Sequence, residues 1–267
     1  IITNISKDHT QFLGETLPQI AAEKAGIIKP NTPVVIGEAI PETRHVFEHK
    51  AIETHSKIIF AEDACEVVQV DKSQGVGISY QTVNYGVVTG ALIGEYQIKN
   101  TNTVLCAIRE LGITDVEAVK KGFLNVVQLT GLMGRWQILC NQPLIVRDTG
   151  HNVGGWKYLS KQINHQECHQ KHIVFGMVDD KDIDSVMELL PKDAIYYWSQ
   201  ATTHRAIPSQ VVAQKGLAHG LVGRVYDSVE SAYMAALAHA VPNDFVFIGG
   251  SSYIVSDLLA CLATPKE

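Results

Sequence analysis

PLIVRDTGHNVGGWKYLSKQI, residues 143–163, decides the fold. A strand runs to Asp148, a tight turn at Gly150 follows, and a helix begins near Asn152, so polar side chains are presented in the crevice outside the carboxyl end of a strand. Open α/β sheets bind ligands there. The same strand-then-helix alternation continues on both sides. Downstream it predicts strands near 172–176, 194–198, 222–226 and 244–248, with helices near 182–190, 208–218, 228–240 and 252–262. A further strand at 136–140 precedes it. Upstream it predicts strands at 1–5, 33–37 and 57–60, helices at 17–25, 41–54, 98–111 and 115–126, and a β-rich stretch over 63–95. Such alternation is the pattern of a parallel sheet covered by helices, so the class is α/β and the second half is doubly wound. Small and flexible residues in Leu129-Thr130-Gly131-Leu132-Met133-Gly134 read as a linker, which divides the chain into domains 1–130 and 131–267.

Composition narrows the function classes. A chain of 267 residues with 46% hydrophobic and 19% charged residues has the usage of a folded protein rather than a disordered or fibrous one. The net charge of −6 offers no basic field for nucleic acid or an anionic membrane. No apolar run approaches the length of a membrane span. Five scattered cysteines, Cys65, Cys106, Cys140, Cys168 and Cys261, fit reduced thiols and a cytoplasmic setting better than a disulfide framework. The chain opens on Ile1-Ile2-Thr3-Asn4-Ile5, a strand already under way with no initiator Met, from which a truncated chain is expected.

The helix predicted at 17–25 is well punctuated. Thr16 and Gln19 make a capping box, and Gly26 is placed to take the left-handed position after the last turn. Leu17, Ile20 and Ala21 form one apolar stripe at helical spacing, and Lys24 falls within it. Two readings follow. Lys24 can snorkel outward and complement the helix C-terminal dipole. Alternatively it is a functional amine: burial favours the neutral, nucleophilic form, and a neutral amine can capture CO₂ as a carbamate, a hard oxygen ligand suited to Mg²⁺.

Ile2-Thr3-Asn4-Ile5, Asp8-His9-Thr10, Phe12-Leu13-Gly14, Thr16-Leu17 and Ile20 through Pro30 (IAAEKAGIIKP) resemble the central-domain signature of folylpolyglutamate synthase and dihydrofolate synthase, members of the Mur ligase superfamily. The resemblance implies the remainder of a central Mur-ligase-type α/β domain followed by a C-terminal Rossmann-like doubly wound domain that binds glutamate. It implies that Lys24 is carbamylated and that His9 joins it at a Mg²⁺ site. Gly94-Glu95-Tyr96-Gln97-Ile98-Lys99-Asn100 is similar to the family's histidine-glutamine-x-x-asparagine segment, which puts Asn100 against adenine, with Tyr96 standing where the family usually has histidine.

Further motifs follow in the family's order. Gly134-Arg135-Trp136 and Asp148-Thr149-Gly150-His151-Asn152 resemble its glycine-arginine pair and its aspartate-glycine-alanine-histidine-asparagine motif, although Val153 stands where proline is common. By this likeness Arg135 meets ATP phosphates, Asp148 the ribose, and His151 lies close to the reacting groups. Asp180-Lys181-Asp182 looks like the family's aspartate-lysine-aspartate loop, with Lys181 holding a carboxylate of the incoming glutamate; read without the family, it is a solvated charge run capping the next helix. Arg205 also matches a family position. Gly249-Gly250-Ser251-Ser252 places backbone donors and a hydroxyl at a helix N-terminus, and Ser251 is assigned to the same glutamate.

The activity so implied is an ATP-dependent ligase that adds L-glutamate to folate or dihydropteroate through an acyl phosphate, with ATP and Mg²⁺ as cofactors. It is expected to act as a cytoplasmic monomer without nucleic-acid or membrane partners. The family's phosphate-binding loop and a further carboxylate metal ligand would lie upstream, so this stretch alone is expected to be inactive. Two alternatives are a non-catalytic folate- or nucleotide-binding relic and a peptidoglycan Mur ligase. His165, Cys168, His169 and His172, and the pair His45 and His49, are discounted as metal clusters because they sit among Gln, Glu and Lys, as on a solvated surface.

Overall fold

A computed structural model describes residues 1–6, 13–72 and 77–263. They divide into two compact units, Ile1–Leu132 and Met133–Glu267.

In the first unit, helix α1 (Leu17–Ala25) leads to strand β1 (Val34–Ile36), helix α2 (Pro41–Glu53) and strand β2 (Ile58–Phe60). β1 and β2 are parallel, in register from Val34–Ile58 to Ile36–Phe60. Both faces of this pair are covered, which is why the strands are apolar throughout. Ile2, Ala21, Ala25, Val34, Ile36, Phe47 and Phe60 form one core, and Val35, Ile59, Ala61, Cys106 and Ala107 form the other. The predicted strand at 1–5 is reduced to a single bridge, Ile2 to Ile36, with the Gly37 and Glu38 N–H groups donating to the Ile2 and Thr3 carbonyls.

Residues 61–95 hold a one-turn helix α3 (Ala61–Ala64) and an antiparallel meander of β3 (Val67–Asp71), β4 (Ile78–Thr82) and β5 (Gly86–Gly90). Helices α4 (Gln97–Glu110) and α5 (Val116–Leu124) follow. Leu105 of α4 and Val119 of α5 pack on Tyr85 and Val88. The stretch read as a linker starts inside a short helix, α6 (Val126–Thr130), which ends at Gly131 with φ 69°, the left-handed conformation a helix stop favours.

The second unit is a six-stranded sheet in the order β10-β9-β8-β11-β7-β6. Its elements are β6 (Gln137–Asn141), β7 (Leu144–Asp148), α7 (Val153–Asn164), β8 (Lys171–Phe175), α8 (Ile183–Leu189), β9 (Ala194–Trp198), α9 (Ser209–Ala218), β10 (Val222–Val225), α10 (Val229–His239), β11 (Phe245–Gly249) and α11 (Ser252–Ala263). Only β6 runs antiparallel. One face packs Ile145, Val174, Tyr197, Val246 and Ile248 against Ala232, Ala236, Ile254 and Leu258 of α10 and α11. The other is aromatic: Trp156 of α7 meets Phe175 and Phe247 edge-on at 5.5 and 5.7 Å, and Tyr196 stacks on Trp198 at 4.5 Å. Helices on both faces of a mostly parallel sheet make this the doubly wound α/β architecture read from the sequence.

The amino end of this sheet corrects one reading. His172 lies 2% exposed, not on a solvated surface. It is the second residue of β8, a central strand buried on both faces, and its ring is held by Asp244 and Tyr197. Among the described residues no cluster of three or more metal-ligating side chains occurs, and no helix is long and apolar enough to cross a membrane.

Asp244, 4% exposed, accepts from the backbone N–H groups of Val241 and Gln170 and faces both His172 and His169. Burial alone would raise its pKa, but the Val241 N–H and the two imidazoles outweigh burial and hold the carboxyl below the usual carboxylate range. A pKa depressed in the folded state contributes stability above the unfolded value, about 3.9, and loses it as pH falls through the folded value. The unfolding free energy is therefore expected to drop as pH is lowered below about 4, and Asp244→Asn should flatten that part of the profile in urea titrations.

Candidate active site

Four loops meet the carboxyl ends of adjacent strands in the second unit. The loop before β6 carries Arg135, the loop after β7 carries His151, the loop after β8 carries Lys181, and the turn after β11 carries Ser251. Since β11 lies between β8 and β7, the turn carrying Ser251 stands between the loops that carry Lys181 and His151.

Asp148 joins the first two loops. It is 2% exposed; its Oδ2 accepts the Trp136 N–H at 2.6 Å and its Oδ1 the Gly150 N–H at 2.8 Å. The Gly134 carbonyl accepts from the Thr149 N–H at 2.9 Å and from its hydroxyl at 3.1 Å, and the Arg135 guanidinium donates to that same hydroxyl. Trp136 has φ 47°, a left-handed conformation that costs a non-glycine residue roughly 1–2 kcal/mol. The Asp148 carboxylate and the stacking of its indole on Phe245 at 6.1 Å hold it there. His151 Nδ1 lies 3.1 Å from the Thr149 carbonyl, which requires a proton on Nδ1 and, in the neutral ring, puts the lone pair on Nε2.

Lys181 has a side chain 6% exposed and lies 3.4 Å from Asp180, whose other oxygen takes Arg205 at 2.6 Å. Burial alone would raise the Asp180 pKa; Lys181 and Arg205 more than offset it and keep the carboxyl below its usual range. Lys181 is therefore a buried, oriented cation rather than part of a solvated run, while Asp182 caps α8 through the Ser185 N–H at 3.1 Å. Ser251, 1% exposed, accepts the Ile254 N–H at 3.2 Å and so orders the start of α11.

Two glycines bring the backbone close at this end of the sheet. A Cβ on Gly176 would lie 2.4 Å from the Ser199 carbonyl oxygen, and one on Gly250, at φ 105°, would lie 2.4 Å from the Gly176 carbonyl oxygen. Only glycine lets these backbone segments pack so closely where β8 and β11 end.

Spacing alone did not single out Arg147. It is 3% exposed, and burial lowers its pKa. Its Nε and Nη2 donate to Gln137 Oε1 at 3.1 and 3.0 Å, the oxygen that also accepts the Gly134 N–H at 2.9 Å. Its Nη1 has no hydrogen-bond partner among the described residues. The available signal was a charged residue inside the apolar run Leu-Ile-Val-Arg of a central strand.

In the first unit, α1 starts as read: Thr16 accepts from the Gln19 N–H, and the Gln19 side chain accepts from the Thr16 N–H. Gly26 is not left-handed, with φ −55° and ψ −21°. The chain turns on through Ile28, which bonds back to Ala25 at 2.9 Å, and the left-handed residue is Asn31 at φ 56°, just past Pro30. Lys24 is half-buried, and its Nζ donates to the Asn4 carbonyl at 3.2 Å, an arrangement that leaves both readings of its role standing. His9 lies outside the described residues. Asn100, on the first turn of α4, donates to Gln97 at 3.1 Å and borders an apolar cavity of about 440 Å³ with Gly90, Val104 and Phe123.

Residues 134–252 match the family described as Mur ligase, glutamate ligase domain. Along its length the chain is homologous to dihydrofolate synthase/folylpolyglutamate synthase. It is 27% identical to that protein of Escherichia coli K12, covering 97% of this chain and 58% of the relative. It is 30% identical to that of Haemophilus influenzae, covering 97% and 62%. The structure of E. coli FolC in complex with DHPP and ADP superposes with a TM-score of 0.81 at 26% identity, over 97% of this chain and 60% of that one. The Yersinia pestis bifunctional folylpolyglutamate synthase/dihydrofolate synthase with Mn, AMPPNP and L-glutamate bound gives 0.75 at 27%, over 98% and 61%. The chain thus spans about three fifths of the length of these relatives.

Removing the Asp148 side chain strands two backbone N–H groups, at about 1–3 kcal/mol for each buried donor. Asp148→Ala is therefore expected to lower unfolding stability by at least about 2 kcal/mol in denaturant titrations. Asp148→Asn, which keeps one acceptor oxygen, should lose clearly less.

Proposed function

We propose that this chain forms the central and C-terminal parts of an ATP-dependent ligase that joins L-glutamate to folate or dihydropteroate. The observation that carries the reading is the cluster of Arg135, Asp148, His151, Lys181 and Ser251 on loops at one end of a glutamate ligase domain. In the reaction, the acceptor carboxylate takes the terminal phosphoryl group of ATP, releasing ADP. The glutamate amine then attacks the acyl phosphate and phosphate leaves.

Arg135, fixed by Thr149, is proposed to bind ATP phosphates, the role its fork of donors suits. Asp148, whose oxygens hold the Trp136 and Gly150 N–H groups, is proposed to lie against the ribose. Asn100 is proposed to contact adenine. Lys181 holds a glutamate carboxylate, with the Asp180–Arg205 pair aiming its ammonium, and Ser251 offers its hydroxyl proton to the same amino acid. His151, with the lone pair on Nε2, is the group suited to accept a proton from the attacking amine.

Mg²⁺ is the metal the reading implies, and it would neutralise the crowded phosphate oxygens. The described residues do not hold it as they stand: no metal-ligating cluster is present among them, and an ammonium at Lys24 donates rather than ligates. Lys24 is proposed as a ligand only as its carbamate, with His9 beside it. A cytoplasmic monomer is the expected state.

The test is made in a protein of the relatives' full length. Glutamate-dependent ADP release with folate or dihydropteroate as acceptor is expected, and Lys24→Ala should abolish it; retained turnover removes Lys24 from the mechanism. Growth of the amide product on only one acceptor identifies the substrate, and product with neither overturns the proposal. Separately, ¹³C-bicarbonate is expected to give a carbamate resonance that Lys24→Ala removes. A spectrum with no such line would leave Lys24 as a plain helix-end cation.

A further inference from the structure

The second unit has a cavity of about 410 Å³ at the amino end of its sheet, within the size range of small-molecule sites. Its walls come from one face of four adjacent strands: His172 of β8, Tyr197 of β9, Arg224 of β10, and Asp244, the residue just before β11. Tyr226 and His239, the last residue of α10, close the sides. None of Arg135, Asp148, His151, Lys181 and Ser251 lines the cavity.

The polar lining is ordered from within. His172 Nδ1 meets the Tyr197 hydroxyl at 2.9 Å, and its Nε2 meets Asp244 Oδ2 at 3.2 Å. With the imidazole neutral, Nε2–H donates to the carboxylate and the Tyr197 O–H donates to Nδ1, so the Tyr197 proton is spent inward. Burial pushes the Tyr197 pKa up to about 12, which keeps the hydroxyl neutral. Asp244 is the only carboxylate on the wall, and its two oxygens are engaged by two backbone N–H groups and two imidazoles.

What remains facing the cavity is cationic and aromatic. The Arg224 side chain makes no hydrogen bond or ion pair with the described residues, while its backbone is fixed in register with Tyr197. The Tyr226 ring stacks on Tyr197 at 5.7 Å and 27°, and the His239 ring lies 6.1 Å from Tyr197. The His239 Nδ1 is 2.7 Å from the Ala235 carbonyl, so its protonated nitrogen points back to the helix and Nε2 is turned away from it. An unpaired guanidinium beside stacked rings suits a flat ring that carries an acid: the ring gains stacking and the acid gains a forked donor.

We propose that this cavity is a second ligand site, separate from the ligase site, which binds a planar aromatic ring bearing a carboxylate or phosphate. A nucleotide and an aryl carboxylate of the folate type share that chemistry, and the test distinguishes them. The 267-residue chain is titrated with 5′-AMP and, separately, with N-(4-aminobenzoyl)-L-glutamate, following the imidazole resonances of His169 and His239 by NMR. At least one probe is expected to saturate with shifts of those resonances. Loss of one charge-assisted pair is worth about tenfold or more in affinity, so Arg224→Ala should weaken binding by that factor at an unchanged melting temperature. Arg224 is exposed on an edge strand, so its loss should not unfold the domain. Saturation by AMP alone assigns a nucleotide, and saturation by the other probe alone assigns a folate-type acid. If neither probe moves those resonances, or if Arg224→Ala binds as the parent does, the site is not one.

Discussion

A carboxylate withdrawn from water is costly unless every lone pair that faces protein is met by a donor. Asp148 meets this condition with two backbone N–H groups from opposite sides, Trp136 and Gly150. That one side chain sets where β7 stops, keeps Trp136 in its left-handed conformation, and closes the turn from which His151 projects. The loop with Arg135 and the loop with His151 become a single piece, sealed again where Thr149 meets the Gly134 carbonyl. Arg135 and His151 are thereby held in place by the protein itself, and preorganisation of this kind is what makes electrostatic stabilisation effective.

The alternation of strands and helices was legible because central parallel strands, buried on both faces, stay apolar along their length, while Thr16 and Asn152 mark helix starts with side-chain oxygens that do accept from the backbone. Gly26 was misread for a reason of competition. Glycine permits a left-handed stop, but here a further turn through Ile28 buries that side chain at 5% exposure, and the reversal is left to Asn31. His172 was misread because neighbouring Gln, Glu and His residues belong to the loop before β8, whereas His172 itself lies inside a central strand whose two faces are both covered. Composition reports the average environment of a stretch; position in the sheet decides the individual side chain.

The site was legible where motif residues are close in sequence, as in Asp148 to His151, and illegible where the sheet order makes the contact. Asp180 and Arg205 lie in separate loops that become neighbours because β8 and β9 pair, after which Val178 bridges Ala206 and the Asp179 N–H bonds to the Arg205 carbonyl. No spacing rule connects them. The same holds for Asp244 and His172, which meet only because β11 is inserted next to β8.

Arg147 carries the last step. A guanidinium in a central strand gives up hydration that the neutral oxygen of Gln137 only partly replaces, and nothing in the packing of β7 calls for a charge: Ile145, two residues earlier on the same face, is apolar. A leucine there would fill the space at lower cost. What an apolar residue would not supply is the link from β7 through Gln137 Oε1 to the Gly134 N–H. Gly134 begins the turn that delivers Arg135 and Trp136, so the charge fixes that turn from the strand side while Asp148 fixes it from the loop side. The turn is held by a cation and a carboxylate on opposite faces of β7, consecutive in sequence, and this accounts for an Arg-Asp pair at the end of an otherwise apolar strand.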